Sequence, residues 1–162
     1  MLPAVNDVEA TPARSATAME AITRLVEATI AELGVDPAAA RVTSTVDRHS
    51  YSLKRGSARL VVSVSWRDGH LYFRVAALVI ELPAPERREA LFRRLLELNA
   101  GGLANAAFAL DADRVVLVSE RSATQLDAEE VAQTIRHVAV VADTFDDRLA
   151  HEFGGKLGVD AT

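Results

Sequence analysis

The chain of 162 residues has no cysteine, which excludes disulfides, thiol nucleophiles, cysteine-ligated zinc and iron–sulfur clusters together. Aromatic residues are only 5% of the total, so a stacking platform for single-stranded nucleic acid is not expected. Lysine occurs only at Lys54 and Lys156, and with a net charge of -5 no global basic field favours nucleic acid or anionic lipid. No window approaches the ~20 apolar residues of a membrane helix. The opening stretch MLPAVNDVEATPARSATAME lacks a basic segment followed by an apolar run, so no signal peptide is expected and the cytoplasm is the expected compartment. A domain of this size buries enough surface to fold without a staple of metal or disulfide.

What is present is periodicity. Pro3, Asn6-Asp7 and Pro12 interrupt residues 1–14, which are expected to form a disordered leader. A single domain is expected over 15–155, with a frayed tail at 156–162. Helix one should start near Ser15 or Thr17, because Thr17 to Glu20 has capping-box spacing. Ile22, Leu25, Val26, Ile30 and Leu33 then share one face, and Gly34 with Asp36-Pro37 stops the helix. Residues 38–50 fit either a short edge strand or an extended connection. Residues 51–82 read as a three-stranded antiparallel meander. Leu60, Val62, Val64 and Trp66 alternate with Val61, Ser63, Ser65 and Arg67, and Asp68-Gly69 makes the tight turn into the next strand.

A second helix is expected from about Glu86 to Asn99, stopped by Gly101-Gly102. Leu91, Leu95 and Leu98 form one apolar line, and Phe92 with Leu96 widens it. A helix apolar over more than half its circumference wants two surfaces. One is its own sheet. Leu91, Phe92, Leu95 and Leu98 are therefore the candidate surface for a second copy of the chain or another partner. Two strands follow, over Leu103–Leu110 and Arg114–Glu120, with Val115 to Val118 apolar enough to be covered on both sides. The last helix starts at Asp127, within the capping-box spacing Asp127 to Glu130, and ends at Gly154-Gly155. Val131, Ile135, Val138, Ala142, Phe145, Leu149 and Phe153 supply its apolar seam.

Candidate chemistry is sparse. His49, His70, His137 and His151 form no pair at helical metal-ligand spacing. Asp147 and His151 stand four apart within the acidic run Asp143, Asp146, Asp147, His151 and Glu152, which reads as a solvated helix face. No nucleophile elbow and no phosphate loop occur. No catalytic residue, cofactor or metal site is expected, and an enzyme is not.

The order helix, three strands, helix, two strands, helix resembles the type III secretion chaperone-like fold. The phrases KRGSARLVVSV, VIELP, RLLELNAGGLANAAFALD, VVLVSER and ADTFDDRLAHEFGG resemble its YbjN-like branch, over roughly residues 17–155. The matching positions are Leu95, Leu98, Asn99, Ala106, Phe108, Leu110, Asp143, Asp146 and Asp147. This resemblance implies an α+β fold, α-βββ-α-ββ-α, with an antiparallel sheet packed by helices. It also implies a non-enzymatic, homodimeric protein-binding module of chaperone or adaptor type that uses no cofactor. A small-molecule-sensing or regulatory domain is the alternative expectation.

Overall fold

A computed structural model describes residues 12–157, with side chains from residue 16. Ten elements follow in order: α1 (Pro12–Glu32), α2 (Pro37–Ala40), β1 (Arg41–Ser44), β2 (Arg48–Arg55), β3 (Ala58–Arg67), β4 (His70–Glu81), α3 (Pro85–Ala100), β5 (Ala107–Asp111), β6 (Arg114–Ser122) and α4 (Ala128–Phe153). The α+β class with an antiparallel sheet packed by helices is as expected. The sheet has six strands rather than five, in the order β1-β2-β3-β4-β6-β5, with every neighbour antiparallel.

The added strand is β1, which settles the ambiguity at residues 38–50. Asp36 not only stops α1; its side chain accepts a hydrogen bond from the Ala38 amide and starts the single turn α2 with Pro37 at its first position. The chain then runs directly into β1 at the sheet edge. α1 itself begins at Pro12, earlier than expected, so Thr17 to Glu20 lie inside the helix. There Glu20 pairs with Arg24 one turn on instead of closing a cap. Residues 1–11 of the expected leader lie outside those described.

Helices α1 and α4 lie on one face of the sheet, and α3 packs beside the β5 edge and α4. The core face is the apolar half of each strand: Leu60, Val62, Val64, Phe73, Val75 and Ala77 are fully buried. Register carries the alternation across the sheet, with Leu60 opposite Ala77, Val62 opposite Val75 and Val64 opposite Phe73. β6, the continuous apolar run, sits in the interior between β4 and β5. Val115 and Leu117 are buried on its core face, and Val116 lies at the floor of a cleft on the other.

One polar cluster ties α1 to the sheet. The Tyr51 hydroxyl donates to Glu27 at 2.6 Å, and Arg41 pairs with the same carboxylate while lying over the Tyr51 ring. Burial, then the neighbouring Glu27 carboxylate, pushes the Tyr51 phenol well above its ordinary range.

α4 begins and ends as its sequence predicts. The Asp127 side chain accepts from the Glu130 amide at 2.8 Å, and Glu130 accepts from the Asp127 amide at 3.2 Å. Gly154 closes the helix with φ 79°. Gly155 has a different reason to be glycine: a Cβ there would stand 2.5 Å from the Glu81 carbonyl oxygen. The chain passes this close because it rejoins the sheet. The Glu81 amide donates to the Lys156 carbonyl at 2.9 Å, and Leu157 bridges to Ile80. The expected frayed tail is therefore tied down at its first two residues, and 158–162 lie outside those described.

Candidate functional site

Helix α3 starts with Pro85 at its first position and ends where Gly102, at φ 85°, turns the chain out and donates to the Asn99 carbonyl. Its two apolar lines separate cleanly. Leu91 is fully buried and Leu95 is 5% exposed, both inside the chain's own core. They are therefore not available to a partner, contrary to the expectation that placed them on its surface. The reason is geometric: residues 91, 95 and 98 lie on the side of the helix that meets the rest of the domain, so that line fills the fold's own core. Phe92 and Leu98 are half-buried against the same core. Leu96, not among the residues expected on the surface, is 69% exposed. Phe92, Leu96 and Ala100 together form an outer apolar line flanked by Glu89, Arg93 and Glu97. The sequence signal for this line was the widening of the apolar stripe by Phe92 and Leu96. Periodicity gave the width of the stripe but not which part the domain covers.

Two of the positions that carry the resemblance, Asn99 and Phe108, meet at one junction. The Asn99 side chain accepts from the Phe108 amide at 2.7 Å and donates to the Phe108 carbonyl at 3.1 Å. One side-chain amide thus replaces a neighbouring strand on the outer edge of β5, which would otherwise offer those groups to another chain. Phe108 in turn packs edge-on against Phe145 of α4, ring centroids 5.5 Å apart. β5 starts at Ala107 rather than Leu103, because Ala104 and Asn105 take positive φ and the Leu103 carbonyl is held by the His137 ring at 2.8 Å. Asn99, beyond marking the helix end, is thus a strap between α3 and the sheet edge.

The acidic run of α4 is divided. Asp143 accepts from the Ser57 hydroxyl, whereas Asp146 is buried and accepts from the Asp147 amide at 2.6 Å. Burial raises the Asp146 carboxyl above the usual aspartate range, and the nearby Asp147 and Asp143 charges push the same way. Asp147 and His151 are exposed, and no group of three potential metal ligands converges among the described residues. His49 meets Ser44 at 3.2 Å and His137 meets Leu103, so these two histidines are engaged locally.

The face of the sheet away from α1 and α4 carries the other concentration of functional groups. Arg67 bonds Glu120 at 2.7 Å and lies over the Tyr72 ring at 4.3 Å, and Arg74 reaches the second Glu120 oxygen at 3.4 Å. The hydrogen bond from Arg67, reinforced by the charges of both arginines, holds the Glu120 carboxyl below its ordinary range. A cleft of about 450 Å³ opens on this face. Among the described residues no helix is long and apolar enough to cross a membrane.

Solved structures similar to this chain include chains from protein complexes. A chain of the ExsC–ExsE complex superposes with a TM-score of 0.61 at 18% identity, over 81% of this chain and 95% of that one. A chain of the HopA1–SchA chaperone–effector complex gives 0.56 at 10% identity, over 81% and 97%. The type III secretion chaperone SycH of Yersinia pestis, in complex with a stable fragment of YscM2, gives 0.52 at 16% identity, over 76% and 98%. These likenesses establish the fold. No curated protein sequence matches the chain. A family model does, over residues 20–161, and the chain therefore belongs to the TY-Chap1 family, the T3SS (YopN, CesT) and YbjN peptide-binding chaperones.

Proposed function

We propose that this protein is a non-enzymatic, homodimeric chaperone of the cytoplasm that holds an unfolded segment of a client protein. The observation that carries the reading is the outer line of α3. Phe92, Leu96 and Ala100 form an apolar strip that the chain's own fold leaves at the surface. Charges of both signs flank it, Glu89 and Glu97 against Arg93. A strip of that kind suits a two-fold contact, in which the same patch meets itself and each arginine can face a carboxylate of the other copy. Family membership supports the peptide-binding half of the reading.

The test begins with a tagged copy expressed in the native host and identification of what co-purifies. Overlapping synthetic segments of that client are then titrated into the purified protein by calorimetry. A single segment binding with defined stoichiometry is expected, with no turnover of the peptide. Cleavage or modification of the segment would contradict the reading, as would the failure of every segment to bind.

A further inference from the structure

On the open face of the sheet, the side chains fall into rows set by the register. Ser63 stands opposite Arg74 and Arg74 opposite Glu120. The next row runs Val61, Ala76, Val118, and the one after it Arg59, Leu78, Val116. Arg48 lies beyond the first of these rows and Arg114 beyond the last. The result is an apolar band of Val61, Ala76, Leu78 and Val116, with Arg48 and Arg74 at one end and Arg59 and Arg114 at the other. Val61 is 40% exposed at its centre. Four arginines and one carboxylate, Asp111, line the cleft, with Arg74 held by Glu120 beside it and Arg59 also engaged. The chain as a whole carries -5, so this face has the opposite sign to the molecule that bears it.

We infer that this face receives an extended acidic peptide segment, with a short apolar centre flanked by carboxylates. The inference rests on the peptide-binding reading and names the chemistry of the segment. An extended chain repeats its side chains on one face every ~6.6 Å, the same spacing as the rows beneath it, so apolar groups can sit on the band while carboxylates reach Arg48 at one end and Arg114 at the other. Guanidinium forks take carboxylates in paired hydrogen bonds. A nucleic acid fits less well. The cleft lining has no aromatic ring on which a base could stack. The net negative charge elsewhere repels a long polyanion.

The test uses labelled peptides with one apolar centre and flanks of aspartate, asparagine or lysine, together with an oligothymidine of matched charge, all read by fluorescence anisotropy. Protein arms are the wild type, the double variant Arg48→Ser with Arg114→Ser, and Arg48→Lys with Arg114→Lys. The aspartate-flanked peptide is expected to bind about tenfold more tightly than the asparagine-flanked one. That preference should shrink with added salt, vanish in the serine variant and survive in the lysine variant. Equal binding of all three peptides, or a preference untouched by the serine variant, overturns the inference while leaving the peptide-binding reading intact. Tighter binding of the oligothymidine than of any peptide also overturns it. Binding of none of the probes counts against the acidic segment here, while the client titration decides the wider reading separately.

Discussion

The two faces of the sheet are made from the same strands and differ in every other respect. One face, Leu60, Val62, Val64, Phe73 and Val75, is sealed under α1 and α4. The other, one residue out of step, presents Arg59, Val61 and Arg74 to an open cleft. The contrast teaches where the fold spends its apolar side chains. The covered face carries stability, and the open face is free to carry recognition. A strand's period of two writes both faces into one stretch of sequence.

The largest expected break in that comparison is Phe73→Ala. Phe73 is fully buried in the covered face, and its truncation should cost about 3–5 kcal/mol by chemical denaturation. Val61→Ala on the open face should cost under about 1 kcal/mol. Comparable losses would mean that the open face is also packed. Next comes Asn99→Ala, which strands the amide and carbonyl of Phe108 and should cost about 2 kcal/mol. Hydrogen exchange should then quicken at the Phe108 amide first, and an unchanged rate would remove the strap from the account. A smaller effect of opposite sign is expected at Thr23. Its hydroxyl is buried without a hydrogen-bond partner, so Thr23→Val should gain about 1 kcal/mol in the same denaturation assay.

The smallest effect is expected at Asp146. Its carboxyl titrates higher in the folded chain than in the unfolded one. The folded state is therefore favoured when the group is protonated, and stability falls as pH rises from the ordinary aspartate value, about 3.9, through the raised one. Asp146→Asn should accordingly melt slightly higher than wild type at neutral pH and lose that advantage below about pH 4. An advantage that persists in acid would assign it to packing rather than charge.

Local signals survived where one residue type has one physical use. Asp68-Gly69 makes its turn with both φ values positive, and the Asp127–Glu130 box caps α4. The same spacing misled at Thr17–Glu20, because three-residue separations recur inside any helix and α1 begins at Pro12. β1 was ambiguous because a four-residue edge strand alternates too briefly to register. The start of β5 is fixed by a contact from α4, His137 to Leu103, which no window of neighbouring sequence contains. The candidate surface on α3 was half legible. Leu91, Phe92, Leu95, Leu96 and Leu98 mark a wide apolar helix, but only the domain's packing shows that Leu91 and Leu95 are inside and Leu96 is outside.

That division also separates two substitutions that otherwise look alike. Leu91→Glu buries a charge in the core and should unfold the chain. Leu96→Glu places a charge on the outer line of α3 and should leave the fold intact. The most direct measurement of the account is the solution mass of wild type and Leu96→Glu by light scattering across a concentration series. Twice the 17.4 kDa of the single chain is expected for the wild type, and the single-chain mass for a folded Leu96→Glu. A wild type that stays at the single-chain mass at the highest concentration, or a Leu96→Glu variant that remains fully paired, would contradict it.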